Sequence, residues 1–199
     1  MNYVNFHTLK KFTLTGLCLS LLIMANSAFS GQKTLDVGPE IGTIAPSISV
    51  LNSQKESKTI KDLSGEKGLI ILFFRSADWC PFCKKHLIEL NGQAEKFKAL
   101  GYGLAAISYD SNKILQTFSD KKNISYPLLS DQQAKTMLSY DIINSQYKLG
   151  DDNYGLPYPG VVVIDKAGKV THKHFFEGYK KRVKFTKLYE KLKAKVYTP

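Results

Sequence analysis

The chain has 199 residues, 43% of them hydrophobic, and a formal net charge of +11. That length suits one well-packed domain and is short for two. Arg75 and Arg182 are the only arginines and no nucleic-acid motif occurs, so the basic charge does not point to DNA or RNA. It reads as a solvated lysine face, with acidic partners or an anionic membrane surface as the other uses of such charge.

The first thirty residues read as an export signal. Lys10 and Lys11 end a basic start, Phe12 to Met24 is a short apolar stretch, and Ala28-Phe29-Ser30 offers small residues before Gly31. The stretch is shorter than the roughly 20 residues a spanning helix needs. The expected organisation is a signal peptide over 1–30 and one domain over 31–199, exported to the periplasm or another extracytoplasmic space. Membrane association is expected only if the signal stays uncleaved. Cys18 leaves with the signal, so Cys80 and Cys83 carry whatever sulfur chemistry remains.

Beyond the signal, residues 32–67 are rich in Gly, Pro and Lys, with a short extended stretch at Ile48 to Leu51. Leu69 to Phe74 is a continuous apolar run, as in a strand buried on both faces. One helix is expected from Pro81 to Leu100, with Leu87, Leu90, Ala94 and Phe97 on one face and Gly101 ending it. Gly103 to Tyr109 reads as a strand, and Asp110-Ser111 starts a helix over Asn112 to Lys122. Tyr126 to Leu129 is extended, and Ser130-Asp131 opens a helix toward Tyr140. Val161 to Ile164 and Val170 to Phe176 form a hairpin around Asp165-Lys166-Ala167-Gly168. A last helix runs from about Lys180 to Val196. Strands alternating with helices predict an α/β fold, a central mixed sheet flanked by helices on both faces. In such sheets the site lies beyond the carboxyl ends of the strands, where the first long strand delivers the two cysteines.

If the helix starts at Pro81, proline occupies the first helical position and Cys80 is the N-cap. Unpaired amide N–H groups and the positive end of the helix dipole then favour the Cys80 thiolate. Cys83, one turn in, is placed to attack a mixed disulfide on Cys80. Cys80 is therefore assigned as nucleophile and Cys83 as resolving thiol. Trp79 and Asp78 mark a loop end, which leaves the leading sulfur open to solvent. A purely structural disulfide closing so short a loop would gain little stability. Zinc would need two further ligands, and His86 alone does not supply them. His172 and His174 read as a surface pair on a strand.

Trp79-Cys80-Pro81-Phe82-Cys83 after an apolar strand, in this element order, resembles the thioredoxin superfamily. The wider pattern resembles its redoxin branch, the alkyl hydroperoxide reductase/thiol-specific antioxidant group, over roughly Ile44 to Leu192. The resemblance implies a thioredoxin-like fold; no cofactor is expected, and the count of ligands gives no metal. It also implies a groove beside the cysteines bordered by Trp79, Pro81, Phe82, Tyr158 and Pro159, with a cis Tyr158–Pro159 bond. Three departures stand out. Phe74 occupies the place of the buried carboxylate that helps move protons in thioredoxins. Phe73 and Ala77 stand where peroxiredoxins have proline and threonine. The peroxiredoxin arginine expected near Gly160 is missing, and nothing in the sequence aims Arg75 at Cys80. The polar stretch from Asn144 to Gly155 is either a border of the site or a surface insertion.

The function expected from these residues is exported thiol–disulfide exchange on a disulfide-containing protein or small-thiol substrate, with an external thiol reductant and no nucleic acid. A thiol peroxidase acting on hydroperoxides is the alternative, and a non-catalytic binding module of the same fold is the third reading.

Overall fold

The computed structural model describes residues 35–178 and 180–197; the export segment and Cys18 lie outside them. In chain order the elements are β1 (Val50–Leu51), β2 (Ser57–Lys58), α1 (Ile60–Leu63), β3 (Gly68–Phe73), α2 (Pro81–Asn91), α3 (Ala94–Ala99) and β4 (Tyr102–Ser108). There follow α4 (Asn112–Lys122), β5 (Leu128–Ser130), α5 (Lys135–Ser139), β6 (Gly160–Asp165), β7 (Val170–Phe175) and α6 (Phe185–Tyr197).

The apolar run in β3 is buried along its whole length because the sheet is covered on both sides. Ile70, Leu72 and Phe74 point into one cluster with Leu87, Leu90, Phe97, Leu115, Phe118, Phe185 and Leu188, from α2, α3, α4 and α6. Leu69, Ile71 and Phe73 point into the other, with Met137, Tyr140, Ile142 and Phe175. The valines and isoleucine of β6 divide between the same two clusters with period two. The sheet is mixed. β3 pairs antiparallel with β6, which pairs antiparallel with β7. On the other side β4 runs parallel to β5, with β1 and β2 antiparallel beyond it. Where β3 ends, Phe74 N–H donates to Ile107 C=O of β4 at 3.1 Å, so the carboxyl ends of both strands open onto one place.

Three elements differ from the sequence expectation, each for a local reason. The helix expected over 81–100 is two, broken at Gly92-Gln93. Glycine holds a helix weakly, and Asn91 beside it turns outward to bond Asn123 C=O and Ser125 N–H. The helix after Ser130-Asp131 starts only at Lys135: Ala134 takes a left-handed conformation, φ 52°, and the Asp131 carboxylate accepts the Met137 N–H from outside the helix. The last helix begins at Phe185 rather than near Lys180, because the Val183 carbonyl bonds His86 of α2. Among the described residues no peptide bond is cis, so Tyr158–Pro159 is trans, contrary to expectation. Its flanks are tied as they stand, with Tyr158 N–H on Ile142 C=O at 2.8 Å and Pro159 C=O accepting Phe176 N–H at 3.2 Å. His172 is not on the surface but 4% exposed. No described helix is long and apolar enough to cross a membrane.

Gly160 starts β6 opposite Phe73 and Phe175. A Cβ there would come within 2.6 Å of the His174 carbonyl and overlap the Phe175 ring, with backbone on one side and a core aromatic on the other. Gly160→Ala should therefore destabilise the fold by about 1–3 kcal/mol, as overpacking does. The shift in urea midpoint at unchanged slope measures it.

Candidate active site

The loop between β3 and α2 is held before the cysteines are reached. Asp110, just past β4, accepts the Ala77 N–H at 2.6 Å and the Ser108 hydroxyl at 3.1 Å through one carboxylate oxygen. Burial pushes the Asp110 carboxyl above its ordinary range, while these bonds and one from Ser76 pull it back. Ser76 Oγ accepts the Asp78 and Trp79 N–H groups, and Lys84 donates to Asp78 C=O at 2.5 Å. Trp79 Nε1 donates to Tyr109 O–H at 2.8 Å. These bonds hold the four residues, Ser76 to Trp79, that precede Cys80.

Cys80 is the N-cap of α2, with φ −94° and ψ 100°, and Pro81 is the first helical residue. Its Sγ accepts the Cys83 N–H at 3.2 Å, as a capping side chain should. Cys80 and Cys83 are joined in a disulfide, with their Cα atoms 5.2 Å apart. The expected solvent-open sulfur is not found: Cys80 is 2% exposed and Cys83 is fully buried, both within the cluster that holds Phe74, Ala77 and Val183. Their neighbours Trp79 and Phe82 are 41% and 37% exposed, and Asp78 and Pro81 are exposed with them.

The groove residues divide. Trp79, Pro81 and Phe82 adjoin the disulfide along the chain. Pro159 precedes Gly160, which pairs with Phe73, so it stands at the end of β3 where the loop begins. Tyr158 does not join them. Its side chain belongs to the cluster on the other face of the sheet, and its hydroxyl meets Ser145 Oγ at 2.9 Å.

The two arginines were not legible as site residues, and the fold brings both here. The Arg75 guanidinium lies over the Trp79 ring, 4.7 Å from its centroid, and donates to Tyr147 O–H at 3.4 Å. The polar stretch from Asn144 therefore touches the site's flank. Arg182, in the extended segment before α6, reaches Cys83 Sγ with Nη2 at 3.5 Å. Burial, and then the Arg75 charge, push its pKa down to about 10, so it stays cationic at neutral pH. His86, one turn beyond Cys83, stacks on Phe185 at 4.5 Å and donates Nε2–H to Val183 C=O. Burial chiefly lowers its pKa to about 4, so it is neutral near pH 7. Among the described residues no group of three His, Cys, Asp or Glu side chains could hold a metal ion.

A mixed sheet wrapped by helices, with a Cys-x-x-Cys disulfide capping the helix that follows β3, defines a thioredoxin-like fold with its cysteine pair at the helix start. The profile described as AhpC/TSA family matches residues 41–173. The chain belongs to that family. It is similar to Peroxiredoxin Bcp of Bacillus subtilis, 28% identical over 135 residues that cover 66% of this chain and 82% of that one. It is also similar to Peroxiredoxin bcp1 of Schizosaccharomyces pombe, 28% identical over 104 residues, 52% of this chain; there it spans about half, 53%, of the relative's length. Its fold matches Peroxidoxin BcpB from Mycobacterium tuberculosis with a TM-score of 0.68 at 20% identity, covering 78% of this chain and 97% of that one.

Two predictions follow from the loop and helix contacts. Asp110→Ala should cost about 1–3 kcal/mol by stranding the Ala77 amide, while Asp110→Asn, which keeps an acceptor, should cost less; denaturant unfolding of the pair distinguishes them. His86 is held neutral by the fold. The unfolded chain therefore binds the extra proton first, and stability falls as pH drops from about 6.5 to about 4, by on the order of 3 kcal/mol. His86→Phe should flatten that fall relative to wild type, read from urea midpoints between pH 7 and 4. The difference between variants isolates His86 from Asp131, whose carboxyl is raised to about 6 and acts in the opposite sense.

Proposed function

We propose that the chain is an exported thiol peroxidase, in which Cys80 reduces a hydroperoxide and Cys83 resolves the product. The observation that carries this is the near-complete burial of a helix-capping disulfide. A cysteine only 2% exposed suits reaction with a small hydroperoxide far better than approach by a disulfide on a folded protein. Membership of the AhpC/TSA family and likeness to proteins named peroxiredoxins support the same reading. The helix N-terminus favours the Cys80 thiolate. That thiolate attacks the O–O bond and takes one oxygen as sulfenic acid, and the departing alkoxide takes a proton and leaves as alcohol. Cys83 then displaces the hydroxyl from Cys80, forming the disulfide and releasing water. Two equivalents of an external thiol, or one dithiol, return the pair to its reduced form.

Ala77 and Phe73, where peroxiredoxins carry threonine and proline, favour a second reading, thiol–disulfide exchange, with the exposed Trp79 and Phe82 rings as the contact surface. Peroxide consumption with dithiothreitol separates the two. Rapid turnover that drops by at least about 100-fold in Cys80→Ser, and a trappable sulfenic acid in Cys83→Ser, are the expected results. Insulin-disulfide reduction with negligible peroxide turnover would instead establish exchange. Full cellular function in the Cys80→Ser/Cys83→Ser double variant would point to a binding module.

A further inference from the structure

We propose that Arg182 holds Cys83 as a thiolate in the reduced protein, and so primes the resolving sulfur at a site where Phe74 stands in place of the thioredoxin carboxylate. Arg182 reaches Cys83 Sγ with Nη2 at 3.5 Å and spends Nη1 on the Lys181 carbonyl at 2.7 Å, while its buried Nε has no hydrogen-bond partner among the described residues. No ion pair among the described residues links it to a carboxylate. A half-buried guanidinium beside a neutral disulfide is a cation without a compensating charge, which is costly. Reduction of the bond supplies that charge if the proton on Cys83 is the one released. An adjacent cation lowers a thiol's pKa by direct attraction.

The other groups facing Cys83 do not compete for that role. His86 on the same helix commits its Nε2–H to Val183, and burial lowers its pKa to about 4, so its unpartnered Nδ1 is a weak base. Lys84 is turned to the Asp78 carbonyl, and Lys184 acts on His86. Arg75 lies over Trp79 and adds positive charge from the loop side. Of the acids on that side, Asp110 is occupied with Ala77 and Ser108, Asp78 is exposed, and the thioredoxin carboxylate position is Phe74. Cys80 is favoured separately, as the helix cap. The two sulfurs therefore draw on different sources, the leading one on the helix amides and the following one on Arg182.

In the resolving step the lone pair of Cys83 S⁻ forms the S–S bond to Cys80. The Cys80 S–O bond breaks, its electron pair leaves with hydroxide, and a proton from solvent makes water. No base is needed, because the nucleophile is already ionised. For this step the proposal rests on the peroxidase reading, but the ionisation of Cys83 is measurable without any peroxide.

Thiolate absorbance of the full chain carrying Cys18→Ser and Cys80→Ser, so that Cys83 is its one thiol, titrated against pH, tests it directly. Cys83 is expected to ionise at least one unit below the ordinary value of about 8.5. Adding Arg182→Gln should weaken its acidity by tenfold or more, whereas Arg182→Lys, which keeps the charge, should restore most of it. With both cysteines present, Arg182→Gln should accumulate the Cys80 sulfenic acid and make turnover rise with pH through the ordinary thiol range. An ordinary Cys83 pKa in the Cys80→Ser protein overturns the proposal even if Arg182→Gln does not fold. So does an Arg182→Gln titration that matches its parent, or an Arg182→Lys shift as large as that of Arg182→Gln, which would mean a purely structural role. Peroxide turnover that fails while Cys83 still titrates low would remove the peroxidase reading and leave this one standing.

Discussion

Burial of β3 on both faces is the constraint from which the site follows. Six consecutive buried residues require helices above and below the sheet, and the helix that directly follows the strand must fold back over it. The turn between them is short, so α2 begins at the carboxyl edge of β3 with its first amides facing that edge. Cys80 stands at this junction and Cys83 one turn inside it. The chemistry is therefore located by a packing requirement, and the bonds from Asp110, Ser76 and Tyr109 then fix the intervening loop.

That same packing creates the site's central tension. Sulfur placed where a helix can ionise it is also placed beside a hydrophobic cluster, and in the disulfide form both sulfurs sit inside that cluster. Burial raises a thiol's pKa, and nearby positive charge lowers it. The protein answers with charges of two kinds, helix amides at Cys80 and a guanidinium at Cys83. Trp79 and Phe82 are exposed beside the site, and the Arg75 cation lies over the Trp79 ring. A site without threonine at position 77 thus still gathers polar and cationic groups around its sulfurs.

Segments whose order depends on their own residues were legible. The strand before the cysteines, the helix opened by Ser111 and the hairpin around Asp165 to Gly168 lie where alternation, capping and turn chemistry put them. Segments whose backbone bonds go elsewhere were misread. Residues 181–184 carry helix-forming lysines, yet the Val183 carbonyl serves His86 across a sequence separation of 97. Helix propensity is a weak prior against such a contact. Tyr158 adjoins Pro159 in sequence, but alternation across the extended chain sends its ring to the opposite face of the sheet.

The sequence by itself determined the α/β class, the redoxin resemblance and the cysteine pair, because these rest on local patterns: an apolar run, a proline at a helix start, two cysteines three apart. Only the tertiary structure decided the electrical surroundings of the sulfurs. Arg75 and Arg182 are over a hundred positions apart, and no spacing rule joins residues that meet only when α6's leading segment crosses α2. It also decided exposure, since a loop-end sulfur faces water or core according to the cluster that packs against it.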